Sequence, residues 1–174
     1  MTNEYSIWLL PSTADTARLH NSIALLSSHL DGPVFAPHVT IQGDISTELA
    51  PLSHLLERLA ACQAPLRWRV DGVESSEHFF RCLYLRLSLT PAFGLMQQAT
   101  QAITRTATGL SPFPHLSLAY GEPHPHIAGL LGPLAEQFEG QELVFDQLAV
   151  CRSSKNVPIE QWCILESHSL SPAA

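Results

Sequence analysis

Pro37-His38-Val39-Thr40-Ile41 and, 77 residues later, Pro114-His115-Leu116-Ser117-Leu118 are two copies of one pattern, and their reading decides the fold. Side chains of an extended strand alternate between faces, so His38 and Thr40 share one face while Val39 and Ile41 share the other. The same holds for His115 and Ser117. Each stretch therefore offers an imidazole beside a hydroxyl on one face and an aliphatic pair on the other to anchor it in a core.

The flanks of the two copies repeat as well. Tyr5 to Leu10 reads as a strand stopped by Pro11, rich in β-branched and aromatic residues. Ser12, Thr13 and Asp15 are N-cap candidates for a helix with apolar positions Leu19, Ile23, Leu26 and Leu30; Gly32-Pro33 ends it, Gly32 supplying a left-handed turn. A second strand, expected from Phe79 to Leu89, leads to Pro91, a helix from Phe93 to Ala107, Gly109 and the second Pro-His. His38 follows Pro11 by 27 residues, and His115 follows Pro91 by 24. Strand, Pro, helix, Gly, Pro-His-x-[Ser/Thr] occurs twice, which predicts two similarly built lobes related by an approximate two-fold.

Between the units, Leu49, Leu52, Leu56 and Leu59 stripe a helix from Thr47 to Cys62, with His54 beside the stripe. Leu66, Trp68 and Val70 alternate with Arg67, Arg69 and Asp71 in a half-buried strand that runs to Val73. After the second copy come a helix from Pro125 to Phe138 and strands Leu143–Cys151 and Glu160–Leu170, joined by the polar loop Arg152–Pro158. The tail Ser171–Ala174 reads as disordered. No linker separates the elements, so residues 1–174 form one two-lobed α+β domain.

Composition narrows the partners. The chain is 45% hydrophobic, enough for a sizeable core. Sixteen acidic against nine basic residues give a formal charge of −7, and the eight arginines and the one lysine, Lys155, are scattered. A polyanion or an anionic membrane meets net repulsion, whereas a small anion needs only a local pocket of donors. Met1–Glu4 lacks the pattern of a secretory leader and no apolar run is long enough to span a bilayer, so a cytoplasmic monomer without membrane contact is expected. Cys62, Cys82, Cys151 and Cys163 are far apart with no C-x-x-C and read as small core residues. Neither a metal nor a cofactor is expected. Pro123-His124-Pro125-His126 lacks a paired Asp, Glu or Cys ligand and reads as an exposed turn, and His78 as structural or exposed.

Two imidazoles on facing strands divide the work of a phosphoryl displacement: one takes a proton from the attacking oxygen, and the other gives one to the leaving oxygen. Thr40 and Ser117 are placed to donate to the non-bridging oxygens. A third triplet, His20-Asn21-Ser22, falls in the first helix, where its two side chains diverge, and is incidental.

On these residues the chain resembles the two-histidine phosphoesterases, and within them the cyclic phosphodiesterases, relatives of the 2′-5′ RNA ligase-like proteins. The resemblance extends through Tyr5–Pro11, Gly32–Thr40, Phe79–Cys82, Pro114–Tyr120 and Leu148–Cys151. It implies a LigT-like fold: two pseudo-symmetric lobes, each an antiparallel sheet with helices outside, enclosing a cleft that receives both histidines. It implies that His38 and His115 are general acid and base and that Thr40 and Ser117 bind phosphate. The substrate implied is a 2′,3′-cyclic nucleotide or ADP-ribose 1″,2″-cyclic phosphate, opened to a phosphomonoester without a metal. We assign His115 to water activation and His38 to the leaving group, although near-equivalent lobes leave the opposite order open. Tyr120, then Trp8 and Phe80, are the aromatic candidates for substrate contact. Tyr120 lies five residues after His115 and reaches the cleft only through a bulge. The alternatives are action on RNA ends, which needs a basic track, and a non-catalytic nucleotide-binding module.

Overall fold

The computed structural model describes residues 4–171. The leader reading at Met1–Asn3 and most of the tail reading, Pro172–Ala174, lie outside the described residues.

Strand β1 (Tyr5–Pro11) turns Tyr5, Ile7 and Leu9 into the main core and Trp8 to the opposite face, where Ala149 and Cys151 cover it. Helix α1 (Thr13–Leu30) starts at Ser12, whose hydroxyl accepts the Asp15 N–H; the Asp15 carboxylate accepts the Val144 N–H at 2.8 Å and so ties the helix start to a later strand. Strand β2 (Val39–Ile45) follows, then α2 (Leu49–Cys62) and β3 (Leu66–Ser75). The second unit consists of β4 (Leu83–Leu87), α3 (Pro91–Thr104) and β5 (His115–Ala119). Helix α4 (Ile127–Phe138), β6 (Glu142–Arg152) and β7 (Cys163–Ser169) complete the chain.

The strands form one antiparallel path, β2-β1-β6-β3-β4-β5, with β7 added on β6. β6 belongs to both halves: β1 pairs along one side of it, while β3 takes residues 142–145 of the other side and β7 takes 147–152. The histidine-bearing strands β2 and β5 lie at the two ends of the path. They are brought together by the segment after α3, where the Gly43 N–H donates to the Gly109 carbonyl at 2.8 Å and the Ser111 N–H to the Ile41 carbonyl at 3.2 Å. Helix α3 packs on β2, α1 on β5 and β1, α2 on β6 and β7, and α4 on β3.

Four readings need correction. The expected strand Phe79–Leu89 begins only at Leu83, because Phe79–Arg81 form a 3-10 turn whose carbonyls are taken by Gly121, Ser117 and Ser76 rather than by a neighbouring strand. The last strand likewise starts at Cys163, after a 3-10 turn at Ile159–Gln161. The left-handed residue ending α1 is Asp31 (φ 53°), and the one ending α3 is Arg105 (φ 56°), so neither Gly32 nor Gly109 is the cap. Both glycines serve close approach instead: a Cβ on Gly32 would stand 2.7 Å from the Tyr120 carbonyl oxygen, and one on Gly109 would stand 1.9 Å from that of Gly43. Finally, Cys82 and Cys151 are buried, but Cys62, the last residue of α2, and Cys163, the first of β7, are exposed.

The close approach makes a paired prediction. Gly109→Ala should destabilise the protein by about 2 kcal/mol or more, since the intruding methyl meets backbone that cannot turn aside. Gly94→Ala, within α3 and with open space around the added Cβ, should stabilise by about 0.5–1 kcal/mol. Urea unfolding of both variants measures the difference.

Candidate active site

The two copies of the histidine pattern carry the same backbone irregularity. On β2, Thr40 pairs with Trp8 but Gln42 with Ile7, leaving Ile41 as an extra residue; on β5, Ser117 pairs with Tyr84 but Ala119 with Leu83, leaving Leu118 as the extra one. The bulge directly after each hydroxyl residue shifts the alternation by one. This is what brings Tyr120 to the cleft, against the parity of an unbroken strand.

Each imidazole is held in the same way. His38 Nδ1 lies 2.6 Å from the Ala36 carbonyl and His115 Nδ1 lies 3.0 Å from the Phe113 carbonyl, two residues upstream in both cases. A carbonyl only accepts, so each Nδ1 carries the proton and each Nε2 is left with its lone pair. Ser111 Oγ adds a second contact, 3.3 Å from His115 Nδ1. His38 is also stacked on Trp8, with centroids 3.7 Å apart and planes 13° from parallel, and the Tyr120 hydroxyl lies 3.4 Å from its Nε2. Tyr120 is itself stacked on Phe35 at 3.6 Å. Burial pushes the His38 imidazole from its usual 6.5 down to about 4. Burial pushes His115 down to about 4 as well, aided by the positive charges of Arg81, His78 and Arg86.

These groups line one cleft of about 500 Å³. His38, Thr40, His115, Ser117, Tyr120, Trp8 and Phe80, all singled out in the sequence, lie on its walls. Thr40 makes no side-chain hydrogen bond among the described residues, whereas the Ser117 hydroxyl donates to the Phe80 carbonyl at 2.9 Å. Among the wall residues not singled out in the sequence are Arg81, Lys155, Trp162 and Ser111. Lys155 comes from the loop Arg152–Pro158, and its ammonium lies 3.7 Å from Asp44. Trp162 lies against Phe80, with centroids 5.8 Å apart. The isolated lysine and the polarity of its loop were the only signals for Lys155; Arg81 adjoins Phe80, and nothing in the sequence marked its direction. His78, read as structural or exposed, is exposed and also lines the cleft.

The chain matches the family model "Cyclic phosphodiesterase-like protein" over residues 1–170. It belongs to that family, within the two-histidine phosphoesterases. A cyclic phosphodiesterase of Arabidopsis thaliana is 26% identical over 175 residues, spanning 97% of this chain and 96% of the relative. Among solved structures, TT0787 of Thermus thermophilus matches with a TM-score of 0.64 at 19% identity, covering 96% of this chain and 97% of that one. E. coli LigT complexed with 3′-AMP matches with a TM-score of 0.61 at 14% identity, covering 98% and 99%. The LigT-like fold that the family resemblance implies is the fold observed.

In this cyclic phosphodiesterase-like protein the remaining histidine cluster lies away from the cleft. The rings of His124 and His126 are 4.7 Å apart, that of His29 is 5.5 Å from His126, and the His124 Nδ1 accepts the His126 N–H. Among the described residues no three His, Cys, Asp or Glu side chains converge to hold a metal ion, and no helix is long and apolar enough to cross a membrane.

The depressed imidazoles make stability depend on pH. The unfolded chain binds protons at His38 and His115 below about 6.5 that the folded chain refuses until about 4. Their contribution is therefore complete above 6.5 and is lost as pH falls toward 4. For His38 the loss is on the order of 3 kcal/mol. Thermal unfolding between pH 7 and 4.5 should show a shallower fall of Tm in His38→Gln than in the wild type; parallel curves would mean that His38 is not held neutral.

Proposed function

We propose that the cleft hydrolyses the cyclic phosphate of a small nucleotide, a 2′,3′-cyclic nucleotide or ADP-ribose 1″,2″-cyclic phosphate, to a phosphomonoester. The observation that carries this reading is the matched pair of imidazoles, each with Nδ1 bonded to its own backbone and Nε2 left for the cleft. Family membership supports the reaction class, and the complex of LigT with 3′-AMP supports a ligand of nucleotide size.

At pH 7 the free site holds both imidazoles neutral, because the bond from each Nδ1 to its upstream carbonyl offsets only part of the desolvation. A cyclic phosphate diester brings one negative charge between them, which raises both affinities for protons and lets one imidazole bind a proton. The two rings are lowered to the same extent, and we assign that proton to His38 because it lies on the side of the cleft away from the fixed charges of Arg81 and Arg86. His115 Nε2 then takes a proton from water as the oxygen bonds to phosphorus. The ester P–O bond breaks and the departing oxygen takes the proton from His38 Nε2, leaving one imidazolium and one imidazole to re-equilibrate with solvent. The free hydroxyl of Thr40 donates to a non-bridging oxygen where charge gathers.

The aromatic contacts divide by what their faces already touch. Trp8 is covered by His38 and Tyr120 by Phe35, so these two rings serve mainly to wall and orient the site. Phe80 and Trp162 are half-buried and remain for stacking on the base or ribose.

The deciding assay incubates the protein, in excess chelator, with adenosine 2′,3′-cyclic phosphate and with ADP-ribose 1″,2″-cyclic phosphate, following products by phosphorus NMR. Turnover of at least one is expected. His38→Ala and His115→Ala should each lower kcat/KM by about 10²–10⁴-fold with unchanged circular dichroism. A folded His38→Ala protein of near wild-type turnover would overturn the mechanism.

A further inference from the structure

The segment that leads into each histidine-bearing strand differs between the two units at one decisive place. Four residues before His38 stands Val34, apolar and exposed; four residues before His115 stands Ser111, polar and buried. His38 Nδ1 meets the Ala36 carbonyl at 2.6 Å, whereas His115 Nδ1 meets both the Phe113 carbonyl at 3.0 Å and Ser111 Oγ at 3.3 Å. The repeat is broken at the ring nitrogen opposite the one left for the cleft.

Ser111 is held from three sides. Its N–H donates to the Ile41 carbonyl at 3.2 Å, its carbonyl accepts from Gln97 Nε2 at 2.7 Å, and its hydroxyl donates to the Phe113 carbonyl at 3.1 Å. Gln97 Nε2 also donates to the Ile41 carbonyl at 3.3 Å, so β2 and α3 jointly fix the Ser111 backbone. This frame sets where Oγ stands beside His115, whichever way the hydroxyl hydrogen points. Nδ1 already bears a proton, so a hydroxyl that turned away from Phe113 would still keep a lone pair for it.

An acceptor at Nδ1 matters most when the ring is charged. As Nε2 takes a proton from water the ring becomes an imidazolium and its Nδ1–H a stronger donor, so a second acceptor stabilises that state more than the neutral one. Nδ1 keeps its proton throughout, and none passes to Ser111. The effect is needed on this side of the cleft, where Arg81, His78 and Arg86 oppose a positive His115.

We infer that Ser111 is a positioning residue for His115: its oxygen shares the Nδ1–H with the Phe113 carbonyl, orients the ring and stabilises the imidazolium formed as water is activated. The inference rests on the reading of the cleft as a phosphodiesterase site with His115 as its base, and it gives that base a partner outside the repeated motif. In the other unit Val34 offers no such atom, and the His38 ring is stacked on Trp8 instead.

Three substitutions test it on the cyclic phosphate that the wild type opens. Ser111→Ala should lower kcat about tenfold, while KM and inhibition by inorganic phosphate stay within about twofold. Ser111→Cys, close in size but a weak acceptor, should fall with it, and Ser111→Thr, which keeps the oxygen, should stay within about threefold of wild type. In proton NMR of the ligand-free protein at pH 7, the His115 Nδ1–H resonance should move upfield in Ser111→Ala and that of His38 should stay. Ser111→Thr as slow as Ser111→Ala, or Ser111→Cys as fast as wild type, would assign the effect to packing and overturn the inference. Weakened phosphate inhibition with kcat retained would make Ser111 a substrate contact and overturn it as well. The resonance shift in a protein that opens no cyclic phosphate would uphold the Ser111 bond to His115 and overturn the hydrolytic reading alone.

Discussion

The approach of two backbones at Gly43 and Gly109 governs the geometry of everything else. β2 and β5 are the ends of a long antiparallel path, and nothing in strand pairing alone obliges such ends to meet. They meet because the segment after α3 runs against β2, with one amide-to-carbonyl bond at 2.8 Å and no room for a side chain on Gly109. Since β5 begins six residues after Gly109, this junction also sets how far His115 stands from His38. Both glycines line the cleft, so the contact that joins the lobes is part of the wall around the chemistry.

Burial then does two jobs on each imidazole. It removes the ring from water, which favours the neutral form, and it leaves Nδ1 no partner except the carbonyl two residues upstream and, for His115, the Ser111 hydroxyl beside it. The second effect selects the tautomer, so Nε2 has its lone pair before any ligand arrives. Preparing the site in this way works against folding only under acid, where the unfolded chain takes the protons more readily. The shared arrangement in both lobes, down to the bulge after the hydroxyl residue, shows one structural unit used twice.

That unit was legible because its landmarks are strong local signals: a proline to end the strand, an aliphatic stripe on the helix, and Pro-His-x-hydroxyl to open the next strand. What escaped reading depended on tertiary contact. Gly32 and Gly109 look like helix caps in a linear text, yet Asp31 and Arg105 take the left-handed conformation and the glycines admit distant backbone. The turn Phe79–Arg81 has the apolar, aromatic composition of a strand; bonds from Ser76, Ser117 and Gly121 hold it as a turn, and two of those partners lie more than thirty residues away. The position of Tyr120 hinged on one bulged residue, Leu118, whose identity does not differ from that of any strand leucine. Exposure of Cys62 and Cys163 follows from their places at the ends of elements, which composition does not reveal.

Two equal lobes pose a chemical problem, because acid–base displacement needs one imidazole charged and one neutral. Two histidines in identical surroundings would share a single proton without preference, and half of the bound complexes would hold it on the wrong side. The surroundings here are not identical. His38 lies among Trp8, Phe35, Tyr120 and Trp162, and among the described residues the charge that opposes its protonation is that of His115. His115 faces Arg81, Arg86 and His78. The backbone is duplicated and the charge is not, yet burial is the largest effect on both rings and brings each down to about 4, so the deeper desolvation of His38 balances the extra positive charge around His115 in the free site. What distinguishes the two lobes is therefore supplied by residues outside the repeated motif, and Arg81, which opposes a proton on His115, has no carboxylate partner among the described residues.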